Sequence, residues 1–88
     1  MLSNKDKHVI LEHAKKYRLS KVILFGSSLT NKKSSDIDLG IEGLKPELFF
    51  NFYGELLLKL SKNADVIDLS SENSFTKLIK KNGLKLYG

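Results

Sequence analysis

The chain has 88 residues, of which 41% are hydrophobic, and this predicts one small globular domain spanning residues 1–88. The absence of cysteine excludes a disulfide framework and thiolate metal sites, and it favours a reducing cytoplasm. The polar N-terminus and the lack of a long apolar run predict neither a signal peptide nor a membrane segment. The net charge of +5 comes from lysines spread along the chain; such spreading is typical of a solvated surface and leaves room for a weak polyanion site.

The first half of the chain predicts one helix, two strands and a short connection. Apolar residues recur at helical spacing from Asn4 to Tyr17, which predicts an amphipathic helix. Lys21–Phe25 reads as a short strand, and Ser27–Thr30 allows at most one helical turn. Asp36–Ile41 is predicted to be the second strand, ended by Gly43.

The next predicted element is the longest helix, Glu47–Lys62, with Pro46 at its start. Its apolar residues at helical spacing predict a core-facing side that consists of Phe49, Tyr53, Leu56 and Leu60. Taking Tyr53 as the core direction puts Leu48 and Leu58 on the opposite side, where they are candidates for a surface that binds another protein.

The last third predicts a strand, a helix and a final strand. Ala64–Leu69 is the strand, and Ser70-Ser71 offers an N-cap for a basic helix over Glu72–Lys81. The buried residues expected in that helix are Phe75, Leu78 and Ile79. Leu84–Tyr87 alternates as a short strand after the Asn82-Gly83 stop. The order α-β-(short α)-β-α-β-α-β predicts an α/β fold with helices packed on a small sheet.

The end of the first strand and the start of the second carry the chemistry. Gly26 permits a sharp turn, and Ser27 begins a turn that offers an N–H group and a hydroxyl to an anion. Asp36 and Asp38 are two residues apart in a strand, so their carboxylates share one face, with Cα atoms about 6.6 Å apart. A phosphate cradle beside a pair of carboxylates that can bind Mg²⁺ indicates nucleotide chemistry.

A third carboxylate comes from the next predicted strand, which contains both Asp65 and Asp68. Strand alternation places these two aspartates on opposite faces, and alternation alone does not decide which face meets Asp36 and Asp38. Asp68 also lies close to the strand end, where it could cap the following turn. Three converging carboxylates suit phosphoryl or nucleotidyl transfer with two Mg²⁺ ions.

Taken together, these motifs resemble the minimal nucleotidyltransferases of the DNA polymerase β superfamily. The matching segments are Phe25-Gly26-Ser27, Ser35-Asp36-Ile37-Asp38-Leu39 and Asp65-Val66-Ile67-Asp68, followed by the closing helix, glycine turn and strand. The resemblance covers about Ser20 to Tyr87 and implies the nucleotidyltransferase fold, with a small mixed four-stranded sheet.

Residue by residue, the resemblance implies that Asp36 and Asp38 ligate Mg²⁺ and that Asp65 is the third catalytic and metal-binding carboxylate. Gly26 and Ser27 would hold the phosphates of ATP. The loop that follows has Lys32 and Lys33 in place of the arginine and glycine common in the family. These lysines keep the positive charge near a triphosphate, but a lysine does not reproduce the bidentate contacts of arginine.

The resemblance further implies a partner. Small members of the family are encoded beside a HEPN-domain protein, with the nucleotidyltransferase as the antitoxin that adenylylates a tyrosine of the HEPN toxin. The alternatives left open are an inactive antitoxin that acts by contact alone, and nucleotidyl transfer to a nucleic-acid 3′ end. A homo-oligomer is also compatible with the sequence, and binding to a membrane is not expected.

Overall fold

One four-stranded mixed sheet organises the molecule, as the sequence predicts. The computed structural model describes residues 2–26, 29 and 36–88. Within these residues the helices are α1 (Asn4–Lys16), α2 (Phe49–Lys59) and α3 (Ser74–Asn82), and the strands are β1 (Lys21–Phe25), β2 (Asp36–Glu42), β3 (Asn63–Asp68) and β4 (Leu84–Tyr87). The strand order is β3-β2-β1-β4.

The connections explain why the sheet is mixed. β1 pairs antiparallel with both β2 and β4, whereas β2 and β3 are parallel. Parallel neighbours need a crossover connection, and α2 provides it between β2 and β3.

One face of the sheet packs against α1 and α2 and forms the main hydrophobic core. From β2 it receives Ile37, Leu39 and Ile41, which are almost completely buried in the same cluster as Phe52 and Leu56 of α2. Because side chains alternate along a strand, the intervening residues of β2 point to the other face.

The other face is covered by α3 along β1. Ile79 of α3 packs with Ile23 and Leu69 in a second, smaller core. A Cβ atom added to Gly40 of β2 would lie 2.7 Å from Cδ1 of Leu69. Leu69 can therefore close over the sheet only because position 40 has no side chain.

Helix α2 is shorter than predicted at both ends. Residues Pro46–Leu48 form a 3₁₀ turn before it, and the chain leaves the helix at Leu60, which has extended backbone angles. The end is fixed by Asp6 of α1, which is buried and accepts hydrogen bonds from the backbone N–H and the hydroxyl of Ser61. Sequence patterning missed this contact because it joins residues 55 positions apart.

The predicted faces of α2 are correct in part. Leu56 and Leu60 are buried as predicted, but the other buried residue is Phe52, and Tyr53 is only half-buried. Within α2 the core direction thus lies between Phe52 and Leu56, a rotation of about 80° from Tyr53.

This rotation decides which leucines are exposed. Leu58 is 87% exposed, which confirms its predicted position away from the core. The prediction for Leu48 is wrong: it lies in the 3₁₀ turn and is half-buried.

Helix α3 also differs from the prediction. Its N-cap is Asn73 rather than Ser70 or Ser71, and Asn73 forms a reciprocal capping box with Thr76. Ile79 is buried as predicted, but Phe75 and Leu78 are about half exposed. The helix packs on the sheet through Ile79, which contacts Ile23 and Leu69, so the rest of its apolar side is only partly covered.

None of the helices in the described residues has the length and apolarity needed to cross a bilayer.

The Asp6–Ser61 contact yields a stability prediction. Asp6→Ala should lower the free energy of unfolding by about 2–3 kcal/mol, because the hydrogen-bonding groups of Ser61 lose a charged acceptor. Urea unfolding followed by circular dichroism measures this loss. Ser61→Ala, which keeps the backbone hydrogen bond, should be milder; equal stability of Asp6→Ala and the wild type would contradict the role.

The same contact predicts a pH dependence. Burial raises the pKa of Asp6, but the hydrogen bonds from Ser61 and Ser3 outweigh burial and bring it below the ordinary value of 3.8. A carboxyl group whose pKa is lowered by folding stabilises the fold at pH values above its unfolded-state pKa. This stability is lost as the pH falls through the folded-state pKa. The advantage of the wild type over Asp6→Asn should thus be constant above about pH 5 and shrink on acidification. An advantage that grew on acidification would contradict this assignment.

Candidate active site

The parallel register of β2 and β3 places two aspartates side by side. Asp38 is the direct partner of Asp65, and Asp36 is the partner of Asn63. Neighbouring strands are about 4.8 Å apart. Ile37 and Leu39 are buried with Ala64 and Val66 on the face that is covered by α1 and α2. Asp36, Asp38 and Asp65 therefore all lie on the opposite face. The structure thus brings together the three carboxylates that the sequence singles out.

The register also separates Asp68 from this group. Asp68 pairs with Ile41, three residues along β2 from Asp38. Its carboxylate accepts a hydrogen bond from the backbone N–H of Ser70 at 2.9 Å. Asp68 therefore caps the turn after β3, which was the structural alternative for this residue.

Gly26 lies directly against Asp38. Its φ angle is +70°, in the region that favours glycine. A Cβ atom at this position would lie 2.5 Å from Oδ2 of Asp38. The backbone after β1 can thus approach the carboxylate only at a glycine, and this close approach is what a phosphate cradle beside the carboxylates requires.

The turn after Gly26 is partly described. The N–H of Leu29 donates to the carbonyl oxygen of Gly26 at 3.1 Å, and the other residues of the predicted turn Ser27–Thr30 lie outside the described residues. Ser27, Lys32 and Lys33, the other predicted phosphate-binding residues, lie outside the described residues.

The electrostatics of Asp38 reflect its crowded position. Burial, the Asp65 carboxylate and then the Asp36 carboxylate raise the pKa of Asp38 above its ordinary value of 3.8. Like charges that share a small region disfavour ionisation of one another. A bound cation would relieve this repulsion, so the donor set has the chemistry of a divalent-metal site.

The three carboxylates do not form a closed metal cage as they stand. In residues 2–26, 29 and 36–88, no three His, Cys, Asp or Glu side chains are gathered closely enough to hold an ion. Electrostatic repulsion acts over several ångströms, whereas the oxygens around Mg²⁺ must all lie about 2.1 Å from one point. The oxygen donors and their shared face have the chemistry that Mg²⁺ prefers.

One residue of this face was missed in the sequence. Gly40 follows Asp38 at i+2 on the same side of β2 and lets Leu69 pack beside the acidic residues. A glycine inside a strand often marks a close approach of another group. That signal was present, but the identity of the approaching residue depends on the tertiary fold.

Comparisons with known proteins agree with this geometry. The model of the "Polymerase beta, Nucleotidyltransferase" family matches residues 8–88. No curated protein sequence matches the chain.

Three solved structures with the same fold are toxin–antitoxin proteins. The MntA–HepT toxin–antitoxin has a TM-score of 0.73 at 21% identity, over 98% of this chain and 73% of that chain. A toxin–antitoxin structure with AMP-PNP has a TM-score of 0.74 at 24% identity, over 98% and 74%. The complex of the tri-AMPylated Shewanella oneidensis HEPN toxin with its MNT antitoxin has a TM-score of 0.71 at 21% identity, over 94% and 70%.

The likeness to these structures establishes the fold, and the family model covers nearly the whole chain together with the Gly26 turn and all three aspartates. The chain therefore belongs to the polymerase β nucleotidyltransferase family.

Proposed function

We propose that this domain transfers AMP from ATP to a hydroxyl group, and that the acceptor is a tyrosine of a HEPN-domain toxin. The observation that carries the chemistry is the pairing of Asp38 with Asp65 beside Gly26, in a chain of the nucleotidyltransferase family. The acceptor and the partner are inferred from the similar structures, which include an AMPylated HEPN toxin bound to its antitoxin.

Each residue has a definite role in this proposal. Asp36 and Asp38 would hold Mg²⁺ with Asp65, while Gly26 and Ser27 would bind the phosphates together with Lys32 and Lys33. Bound Mg²⁺ supplies positive charge against the triphosphate and favours departure of pyrophosphate. Asp65, the most exposed of the three carboxylates, accepts the proton of the acceptor hydroxyl. The hydroxyl oxygen then bonds to the α-phosphorus while the bond to the leaving pyrophosphate breaks.

The biological role in this proposal is that of an antitoxin in the cytoplasm. AMP attached to a tyrosine adds a bulky anionic group to the toxin. This group would block a functional site of the toxin that includes the surface around the modified tyrosine. The adjacent-gene HEPN protein is the partner to test first. Nucleotide binding measured with and without Mg²⁺ distinguishes this enzyme from an antitoxin that acts by contact alone.

Removing both charges on β2 should abolish transfer and keep the fold. We expect Asp36→Asn with Asp38→Asn to reduce Mg²⁺-dependent AMP transfer by at least about 10³-fold. The wild type should also gain thermal stability on adding Mg²⁺ with ATP, and the double variant should not. An unfolded double variant would show that these carboxylates are structural.

The raised pKa of Asp38 predicts a stability change of defined sign. The fold favours the protonated form, so the contribution of Asp38 to stability is present below the unfolded-state pKa and is lost as the pH rises through the folded-state value. Without Mg²⁺, Asp38→Asn should therefore gain stability relative to the wild type between about pH 4 and pH 7. Chemical denaturation at both pH values measures this, and a relative loss of stability at the higher pH would contradict the assignment.

Asp65 and Asp68 provide a matched pair of variants on one strand. Asp65→Asn should reduce the transfer rate by at least about 10²-fold, because it removes the proton acceptor. Asp68→Asn should stay within about threefold of the wild type, since its carboxylate only caps a turn. The two rates are compared in one ATP-consumption assay, and a reversed ranking would show that the wrong carboxylate has been assigned.

A further inference from the structure

Helix α2 exposes an apolar side that the monomer leaves uncovered. This surface, the α2 outer face, consists of Phe50, Gly54, Leu57 and Leu58. Phe50 is 83% exposed, Leu58 is 87% exposed and Leu57 is 45% exposed. The buried residues Phe52 and Leu56 lie on the opposite side of the same helix. Exposed large apolar side chains occur singly on many surfaces, but a contiguous group on one helix side marks an interaction site.

Gly54 lies in the middle of this face, and the monomer does not explain it. A Cβ atom at Gly54 would meet nothing within 4 Å, so no neighbour in the described residues requires a glycine there. Glycine is less favourable than alanine inside a helix because its backbone loses more conformational freedom on folding. The position thus lowers the stability of the helix without a compensating contact inside the molecule.

Because Gly54 has no side chain, it leaves a depression on the helix surface that can accept a side chain of another protein. Phe50 and Leu58 lie one helical turn before and after it, each about 6 Å away along the axis. Leu57 borders the same depression. A helix that packs here can insert a large side chain over Gly54, because the distance between packed helices depends on the side chains at the contact.

The three exposed side chains alone are too small for a stable interface. The exposed parts of Phe50, Leu57 and Leu58 amount to on the order of 400 Å². Even two such surfaces together would bury about 800 Å², whereas stable interfaces bury at least about 1,200 Å². The occupant must therefore contact more than these side chains, and the similar structures, which are complexes of an antitoxin with its toxin, favour the HEPN toxin over a second copy of the chain.

We propose that the α2 outer face binds an apolar helix of the HEPN-domain partner and that Gly54 receives a large side chain of that helix. This inference rests on the partner named in the proposed function. Because α2 and the three aspartates lie on opposite faces of the sheet, docking here leaves the catalytic face open. Stable binding and AMP transfer are then carried by separate surfaces.

The decisive variant is Gly54→Ala, since its two expected effects have opposite signs. Alanine should raise the melting temperature of the isolated chain by about 3 °C. The same methyl group should weaken binding of the purified adjacent-gene HEPN protein by at least about tenfold, because it fills the depression. Calorimetric titration of the full chains measures the affinity.

Leu58→Glu is the second variant and should weaken binding by at least about 10²-fold. Leu84→Glu is the matched control, because Leu84 is also an exposed leucine but belongs to β4; the affinity of this variant should stay within about twofold of the wild type. Single-turnover AMP transfer at saturating HEPN protein should be unchanged in Leu58→Glu.

Each outcome decides between alternatives. If the wild type binds the HEPN protein and neither variant weakens the complex, the α2 outer face is not the interface and the proposed chemistry is unaffected. If the isolated chain is a dimer that Leu58→Glu dissociates, a second copy covers this face and the inference is wrong. If the wild type does not bind the HEPN protein, both the partner and this inference fail, while ATP binding with Mg²⁺ still tests the transferase separately.

Discussion

Alternation along β2 is the constraint on which both halves of the molecule depend. Ile37, Leu39 and Ile41 must point toward α1 and α2, because the main core is built from them. Because side chains alternate along a strand, Asp36 and Asp38 must then point to the opposite face. A shift of one residue would bury two carboxylates in the core, at a cost far greater than a small domain can sustain. The position of these candidate active-site carboxylates is thus enforced by hydrophobic burial on the other side of the sheet.

The site concentrates like charge where packing is tight. Asp38 faces both Asp65 and Asp36, and burial disfavours its charged form further. Such an arrangement lowers the stability of the metal-free fold and increases the affinity for a cation, since binding removes the repulsion. Stability comes from elsewhere, including the two apolar clusters and the buried Asp6–Ser61 contact.

The two faces of the sheet have different tasks. Among residues 2–26, 29 and 36–88, α3 covers the face with the aspartates along β1, and Asp65 on this face is exposed. The face with α1 and α2 is fully packed, and its outer surface carries the exposed apolar side chains of α2. Placement of the reactants contributes much of the rate in transfer reactions. A partner held on one face and modified at the other would supply this placement.

The sequence by itself determined the element order and the chemistry of the site. Periodicity predicted all four strands and the three helices, since burial patterns with periods of 2 and 3.6 are local properties. Gly26, Asp36 and Asp38 were recognisable because a turn glycine and two carboxylates at i and i+2 have a direct geometric meaning. Strand alternation placed Asp65 and Asp68 on opposite faces, but it did not show which of the two lies near Asp36 and Asp38.

Only the tertiary structure decided the rest. The parallel register placed Asp65 beside Asp38 and left Asp68 to cap a turn, and register depends on packing between strands that are distant in sequence. The early end of α2 follows from Asp6, and Phe75 and Leu78 are exposed because α3 packs on the sheet mainly through Ile79. Helical periodicity shows which side of a helix is apolar, but whether that side is covered depends on how much of the fold lies against it.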